Sequence, residues 1–318
     1  KSKMKHLFLI NPAAGKYDHT REFQAKIQDA CTGLDYQIRI SQQPGDCTRL
    51  ARQAAESGQE VRIYACGGDG TLNETVAGVA GYANAAVTHV PGGSGNDFIK
   101  IFSDPAAFSD LSRLLTPQES LFDLIECNSE PVLNICSMGL DARIGTQMAA
   151  YKRLPLISGS GAYLLSALVN TIKGVHEFYR VEVDGQVLEG QQTMICVCNG
   201  RWYGGGFQPV PDADPADGLL DVLLVKGVSR LAVMKLIGPY KAGHYARYPQ
   251  LIRHIRTDRL RITCQRENPV NLDGELRMAQ TVEIRLSPHK LRFFYPKELV
   301  WKRNPAKSRA IGSECCAI

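Results

Sequence analysis

The chain is 318 residues long, which suits two domains of about 100–200 residues each and requires no disulfide or metal staple to fold. Hydrophobic content of 44% with 22% charged residues excludes a disordered chain. A net charge of +5, from 37 basic and 32 acidic residues, is too small for a dedicated nucleic-acid binder, though it suits weak attraction to an anionic surface.

Strand-like runs at 6–10, 36–40, 61–65 and 86–90 alternate with helical spacing at 18–31, 46–57 and 72–80, where Asp18, Asp46 and Thr71 are the expected N-caps. The alternation predicts an α/β domain over residues 1–122, a parallel sheet with flanking helices whose ligands bind beyond the carboxyl ends of the strands. Past Phe122 the rhythm changes. Two helical segments, 141–151 and 160–173, precede strands at 178–183 and 186–189 about an Asp184-Gly185 hairpin turn. Further strands follow at 194–198, 219–225, 260–263, 281–286 and 291–295, with one helix near 230–244, predicting a β-rich sandwich domain over 123–296. Residues 297–318 read as a basic, Pro-interrupted tail, partly disordered beyond Arg303.

No secretory signal or membrane-crossing helix is expected. The longest uncharged stretch, 154–172, contains Pro155, Gly159, Gly161 and Asn170, and its helix starts near Ser160. Fourteen helical residues from there reach about 21 Å, short of a hydrocarbon core of about 30 Å. Ten scattered cysteines without a C-x-x-C pair predict small core thiols in a reduced, cytoplasmic compartment.

Three strands of the first domain run into unusual loops expected at one sheet edge. They are Asn11-Pro12-Ala13-Ala14-Gly15-Lys16, Gly67-Gly68-Asp69-Gly70-Thr71-Leu72-Asn73-Glu74, and Pro91-Gly92-Gly93-Ser94-Gly95-Asn96-Asp97. Glycine lets backbone N–H groups approach phosphate oxygens, and a helix starting at Thr71 would aim its positive end there. Asp69 and Asp97 place carboxylates where the Mg²⁺ of a nucleotide needs them. The common phosphate motifs fail: Ile10 stands where a Walker loop needs glycine, Asn73 where a dinucleotide fingerprint ends, and Asn96 where a Gly-x-Ser-x-Gly elbow closes.

The second loop resembles the nucleotide signature of the diacylglycerol kinase catalytic-domain family, in particular its soluble bacterial lipid kinases. So do Asn11-Pro12-Ala13-Ala14-Gly15, Ser94-Gly95-Asn96-Asp97-Phe98, Asp217-Gly218-Leu219-Leu220-Asp221-Val222 and Asn271-Leu272-Asp273-Gly274-Glu275, in the family's order along nearly the whole chain. The resemblance implies that ATP is held by Asn11, Pro12, Ala13, Ala14, Gly15, Ser41, Gly67, Gly68, Asp69, Gly70, Thr71, Leu72, Asn73 and Ser94. It implies that Asp69, Asp97 and Asp123 organise the nucleotide Mg²⁺, with Asp69 counted among the catalytic residues. A second, structural Mg²⁺ is implied at Asp214, Asp217 and the Leu219 carbonyl, and Glu275 is implied as general base.

Chemistry points the same way, since phosphoryl transfer is mostly positioning and charge neutralisation, and an alcohol nucleophile needs one carboxylate to take its proton. Asp273-Gly274-Glu275 lies between strands, so Glu275 would face the nucleotide across an interdomain cleft; an exposed hairpin is its plainer reading. Asp212, Asp214, Asp217 and Asp221 crowd into ten residues, as a hard-cation loop or a solvated one. The loop Trp202-Tyr203-Gly204-Gly205-Gly206-Phe207 would dip into lipid, close on substrate or pack in the core. Arg253, His254, Arg256, Arg259 and Arg261 form a basic cluster, either a solvated strand face or a seat for anionic headgroups. Cys315-Cys316-Ala317-Ile318 fits a prenylation-like ending only formally.

The expected activity is phosphorylation by Mg·ATP of a lipid hydroxyl, most simply diacylglycerol to phosphatidic acid, by a cytoplasmic protein in reversible contact with the membrane. A homodimer is compatible with this, and a nucleic-acid partner is not expected. The alternatives are an NAD kinase, which shares Gly-Gly-Asp-Gly-Thr, and a non-catalytic nucleotide- or lipid-binding regulator. Asn73-Glu74, the Asn-Pro-x-x-Gly opening and the late Asp-Gly-Glu speak against the first, and retention of Asp69 and Glu275 against the second.

Overall fold

A computed structural model describes residues 4–15, 17–143 and 176–301. The helical expectation at 160–173, most of that at 141–151, the tail beyond Arg303 and the Cys315–Ile318 ending lie outside the described residues. Among the described residues, no helix is long and apolar enough to cross a membrane.

The chain forms two compact units, the first from Lys1–Leu124 with Pro288–Lys302 and the second around Ile125–Ser287. In the first unit β1 (Lys5–Ile10), β2 (Tyr36–Ile40), β3 (Val61–Gly67) and β4 (Ala85–Pro91) are parallel and lie in the order β2-β1-β3-β4. Between them run α1 (Thr20–Ala30), α2 (Asp46–Glu56) and α3 (Asp69–Val79), followed by α4 (Leu111–Leu115). Parallel strands covered on both faces read as unbroken apolar runs, and Phe8, Leu9, Ile10, Ile63, Tyr64, Ala65 and Cys66 are fully buried.

The helix caps differ from expectation by one to three residues, for local chemical reasons. Asp18 accepts from the Thr20 N–H at 2.8 Å but stands outside α1, whose cap is His19. Asp46 is the first residue of α2 rather than its cap; Gly45, at φ 86°, makes the turn, and the Asp46 carboxylate accepts from the Gln42 N–H at 2.9 Å. In α3 the helix begins at Asp69 after Gly68, so Thr71 lies within the first turn and is no cap.

One strand changes units. Residues 291–295, expected in the second domain, form β15 (Leu291–Pro296) in the first sheet, parallel to β4 and antiparallel to β5 (Pro117–Phe122). This corrects the 123–296 and 297–318 boundaries. The physical reason is burial: Phe293 and Phe294 are fully buried, with Phe294 edge-on to Tyr64 at 5.0 Å and Phe293 beside Phe98 at 5.1 Å. Without them the apolar flank of β4 would face water.

The second unit is an antiparallel sandwich. Its strands are β6 (Ile125–Cys127), β7 (Glu130–Val132), β8 (Ile135–Gly139), β9 (Glu177–Val183), β10 (Gln186–Cys198), β11 (Leu220–Lys226), β12 (Ile252–Thr257), β13 (Arg259–Leu272) and β14 (Glu275–Leu286), with α5 (Arg230–Lys241) after β11. The long strands β10 and β13 each pair with β9 through one half and with β8 through the other, and both carry a register shift between the halves. Such bulges bend a strand from one layer into the next. Alternation divides the apolar side chains. Ile195, Val197, Val222 and Leu224 point into the sandwich, while Met194, Cys196, Leu223 and Val225 pack with Val233, Leu236 and Tyr240 of α5. All eight described cysteines are buried free thiols.

Candidate active site

The parallel strands β1, β3 and β4 end on one edge, and backbone contacts lock their loops together. The Gly92 N–H donates to the Gly67 carbonyl at 2.7 Å, and the Asn11 N–H to that of Cys66 at 3.1 Å. His89 Nε2 also donates to the Gly67 carbonyl at 2.9 Å; burial pushes this imidazole down to about 4, so it stays neutral. A Cβ on Gly93 would lie 2.5 Å from the Gly68 Cα, and one on Gly67 would strike Thr71 Oγ1. Those glycines are required by close approach, whereas Gly15 is required by its φ of 82° as well.

Side chains complete the cradle. Asn11 Nδ2 donates to Thr71 Oγ1 at 3.1 Å, and Asn11 Oδ1 accepts from Ala13 N–H at 3.0 Å. Asn96, at φ 50°, brackets Gly93 through both ends of its amide. Ser41 is buried at the end of β2, its N–H donating to the Ile10 carbonyl at 2.9 Å. Ser94 and Ala13 are exposed at the loop tips, and Leu72 is a core side chain that would offer a ligand only its backbone. Asn73 Oδ1 is buried with no hydrogen-bond partner among the described residues. Glu74 has a job that sequence reading missed: its carboxylate accepts from the Gly45 and Cys47 N–H groups at 2.9 and 3.1 Å, capping α2 from α3.

Asp69 and Asp97 come together here. Asp69 Oδ1 accepts from the Asp97 N–H at 2.5 Å. A Cβ on Gly95 would strike Asp69 Oδ2 and stand 3.4 Å from Asp97 Oδ2, so the gap between the carboxylates exists because residue 95 has no side chain. Burial, then the neighbouring Asp97 carboxylate, pushes Asp69 up to about 6. Lys100 Nζ lies 2.5 Å from Asp97 Oδ1. Asp123 is not part of this pair; it is buried and bonded to Lys290 Nζ at 2.7 Å. Neither lysine was foreseen, Lys290 because it arrives with β15.

In the second unit Asp273 and Gly274, at φ 50° and 98°, make the two-residue turn that joins β13 to β14. The plain hairpin reading is correct for the backbone. The Asp273 carboxylate does more, accepting from the N–H groups of Leu133, Asn134 and Ile135 at 2.9, 2.8 and 2.7 Å. Asn271 Oδ1 accepts from the Gly274 N–H at 2.7 Å. Glu275 opens β14, partly exposed, with Oε2 3.0 Å from Arg277 NH2, and Arg277 is shared with Glu130.

In the acid-rich loop the carboxylates implied as structural Mg²⁺ ligands hold hydrogen bonds of their own. Asp214 Oδ1 accepts from the Ala216 N–H and Asp217 Oδ1 from the Leu219 N–H, each at 3.1 Å. Asp217 Oδ2 lies 2.5 Å from Arg256 NH2, and Asp221 Oδ1 lies 2.7 Å from His254 Nε2 and 3.5 Å from Arg256 Nε. Arg256 is thus the partner of Asp217, one of the implied ligands, and of Asp221 beside it. No group of three or more acidic, His or Cys side chains that could hold an ion occurs among the described residues. With Arg261 on Glu283 at 2.7 Å and Arg259 on Asp258 at 3.2 Å, four of the five members of the basic cluster lie on carboxylates. In the aromatic loop Tyr203 and Phe207 are buried in the α5 core, and Tyr203 OH donates to Asp141 Oδ1 at 3.0 Å. Core packing is the reading that holds for these two rings.

The interlocked glycine loops lie on a parallel sheet, and an antiparallel sandwich with an Asp-Gly-Glu turn follows. Residues 5–127 match the diacylglycerol kinase catalytic domain, and residues 134–295 match the YegS C-terminal NAD kinase beta sandwich-like domain. The chain belongs to this diacylglycerol kinase/YegS family of lipid kinases. A Pseudomonas fluorescens protein named "Probable lipid kinase YegS-like" is 28% identical over 302 residues, 93% of this chain and 97% of that protein. A candidate lipid kinase of Staphylococcus carnosus is 24% identical over 266 residues, 82% of this chain and 86% of its own length. Among solved structures, a candidate diacylglycerol kinase from Bacillus anthracis superposes with a TM-score of 0.71 at 25% identity, covering 95% of this chain and 98% of that one.

Proposed function

We propose that the protein transfers the γ-phosphoryl group of ATP to a hydroxyl of a membrane lipid, diacylglycerol being the favoured acceptor and phosphatidic acid the product. The observation that carries this reading is the interlocked glycine cradle with the buried Asp69–Asp97 pair beside it. Backbone N–H groups at Asn11–Gly15, Gly67–Asn73 and Ser94, with the N-terminus of α3, offer a site for the phosphates; Ser41 adds a hydroxyl at the same edge. The unpartnered Asn73 Oδ1 is a buried acceptor that a bound ligand or its water would satisfy.

The residues present fit a divalent cation at Asp69 and Asp97, because Asp69 is still held up to about 6 by burial and its neighbouring carboxylate, with Lys100 already on Asp97, and a positive ion relieves that cost. Mg²⁺ bound there would neutralise phosphate charge. Asp123 stays with Lys290 as an outlying member of the set. Glu275 is the proposed acceptor of the lipid hydroxyl proton, oriented by its hairpin and by Arg277. The lipid-bound acceptor requires reversible contact with a bilayer from a cytoplasmic protein.

Purified protein with labelled ATP, detergent-dispersed diacylglycerol and NAD tests the reading. Label is expected in phosphatidic acid, and label in the NAD product alone would replace it with the NAD kinase alternative. Glu275→Gln is expected to lower kcat by about 10²–10⁴-fold with ATP affinity, measured by calorimetry, nearly level. Near-parental turnover would remove Glu275 from the chemistry.

A further inference from the structure

Between Asp221 and Asp258 the chain has no acidic residue, yet it carries Lys226, Arg230, Lys235, Lys241, Arg247, Arg253 and Arg256. Arg256 is bound to Asp217 and Asp221. Lys226, Arg230, Lys235, Lys241 and Arg247 are exposed, and all belong to α5 or to the segments flanking it. The helix is preformed: Ser229 Oγ caps it by accepting from the Ala232 N–H at 3.3 Å.

One face of α5, Val233, Leu236 and Tyr240, is buried against the sandwich. The opposite face is not polar. Leu231 is 72% exposed and Met234 57%, three residues apart on one stripe that Gly238 and Ala242 continue. At 100° per residue Lys235 flanks this stripe on one side, and Arg230 and Lys241 on the other. Single exposed apolar residues need no explanation; an adjacent pair framed by cations, within 36 residues free of acid, does. At 12 residues the helix is about 18 Å long, enough to lie in an interface and too short to cross one.

We propose that α5 is the membrane-docking surface, lying in the plane of an anionic bilayer with Leu231 and Met234 inserted among the acyl chains and its cations on the headgroup phosphates. This rests on the lipid-kinase reading and adds the surface by which the protein reaches its bilayer. It also moves that contact away from the two places the sequence suggested, since Tyr203 and Phe207 are core and the 253–261 cluster is largely ion-paired. Charge complementarity selects the occupant: headgroup attraction is worth about fivefold in partition per cation near the surface, and it is screened by salt.

Vesicle sedimentation with the full chain tests the assignment, using phosphatidylglycerol–phosphatidylcholine vesicles of rising anionic content. Binding of the parent is expected to rise with phosphatidylglycerol and to weaken with salt. Arg230→Gln/Lys235→Gln should lose about twentyfold in partition, and Leu231→Gln/Met234→Gln about tenfold, its remaining binding wholly salt-sensitive. All four side chains are exposed, so the melting temperatures should match the parent's. Parental binding by both variants, or no vesicle binding by the parent, overturns the proposal. So does conversion of a dimer to a monomer by Leu231→Gln/Met234→Gln in sedimentation velocity, which would make the face a contact between two copies. Phosphorylation of detergent-dispersed diacylglycerol is read separately: its failure with vesicle binding intact would strike the lipid-kinase reading and leave the docking surface standing.

Discussion

Two groups of aspartates look alike in the sequence and are opposite in the structure. Asp214, Asp217 and Asp221 sit in a tight run, and their charge is met by Arg256, His254 and backbone N–H groups. Asp69 and Asp97 are far apart in sequence, are drawn together by the Asp97 N–H, and leave Asp69 buried and pushed up to about 6. Each group has its cation, Arg256 for the first and Lys100 on Asp97 for the second, but only in the second does burial with a like-charged neighbour still push one acid up. A buried carboxylate with a like-charged neighbour is a cost that a fold retains where something positive is to bind, so density of acid in sequence is a poorer guide to a cation than the balance of charge around each acid.

The comparison breaks most sharply at Asp69. Asp69→Asn should lower turnover by about 10³-fold through lost metal and phosphate positioning, while thermal stability holds or rises because a buried like-charge contact is gone. A variant that is active, or one that unfolds, would show the pair to be structural. Next is Gly95→Ala. Its backbone is not among the positive-φ positions, so alanine is conformationally allowed, but the new Cβ meets Asp69 Oδ2. Turnover is expected to fall about 10²-fold with little change in melting temperature, since a misplaced catalytic group of about 1 Å has that effect.

His89 gives a smaller effect, on stability. Its folded value is pushed down to about 4 from 6.5 by complete burial. Above the ordinary histidine range both states are neutral and nothing is lost. As the pH falls through that range the unfolded chain takes up a proton that the folded one refuses, so stability drops until the folded group also titrates. His89 alone should lower the unfolding free energy at about pH 5 by about 2 kcal/mol relative to about pH 7. Urea titrations of parent and His89→Asn isolate this contribution, because the variant should lose that part of the slope.

What could be read from the sequence divides by range. Local chemistry was legible: the four parallel strands, the glycine loops at one edge, and both Asp-Gly hairpins, where positive φ at Asp184, Gly185, Asp273 and Gly274 selects those residues. What depended on distant partners was not. β5 is a polar run whose strand state follows from pairing with β15, and β15 itself gives no sign of which sheet it joins. Arg256 lies 39 residues from Asp217, so nothing near the acid-rich loop announces its counter-ion. The acid-free stretch around α5 is visible in the sequence, but the run at 253–261 is denser in basic residues. Which cations are free is decided across strands, by Glu283 for Arg261 and by Asp217 and Asp221 for Arg256.

Asp217→Ala probes the first group of the comparison. The substitution leaves Arg256, 29% exposed, without one of its two carboxylates, and removes the acceptor for the Leu219 N–H. Charge-assisted hydrogen bonds of this kind are worth about 1.5–3 kcal/mol when buried, and the partial exposure of Arg256 lowers that, so a loss of about 1–2 kcal/mol is expected. The discriminating measurement is the response to Mg²⁺. A cation bound at this loop in the folded state alone would raise the parent's melting temperature as its concentration grows, and the variant would not respond. If Arg256 already fills that role, both proteins should show the same Mg²⁺ response, and Asp217→Ala should melt lower by a constant amount at every concentration. Arg256→Met supplies the converse: with the guanidinium gone, Asp217 and Asp221 both lose their arginine while Asp221 keeps His254, and Mg²⁺ should then stabilise the variant where it does not stabilise the parent. A parent-specific Mg²⁺ response lost in Asp217→Ala would instead restore the metal loop and end the contrast between the two groups of acids.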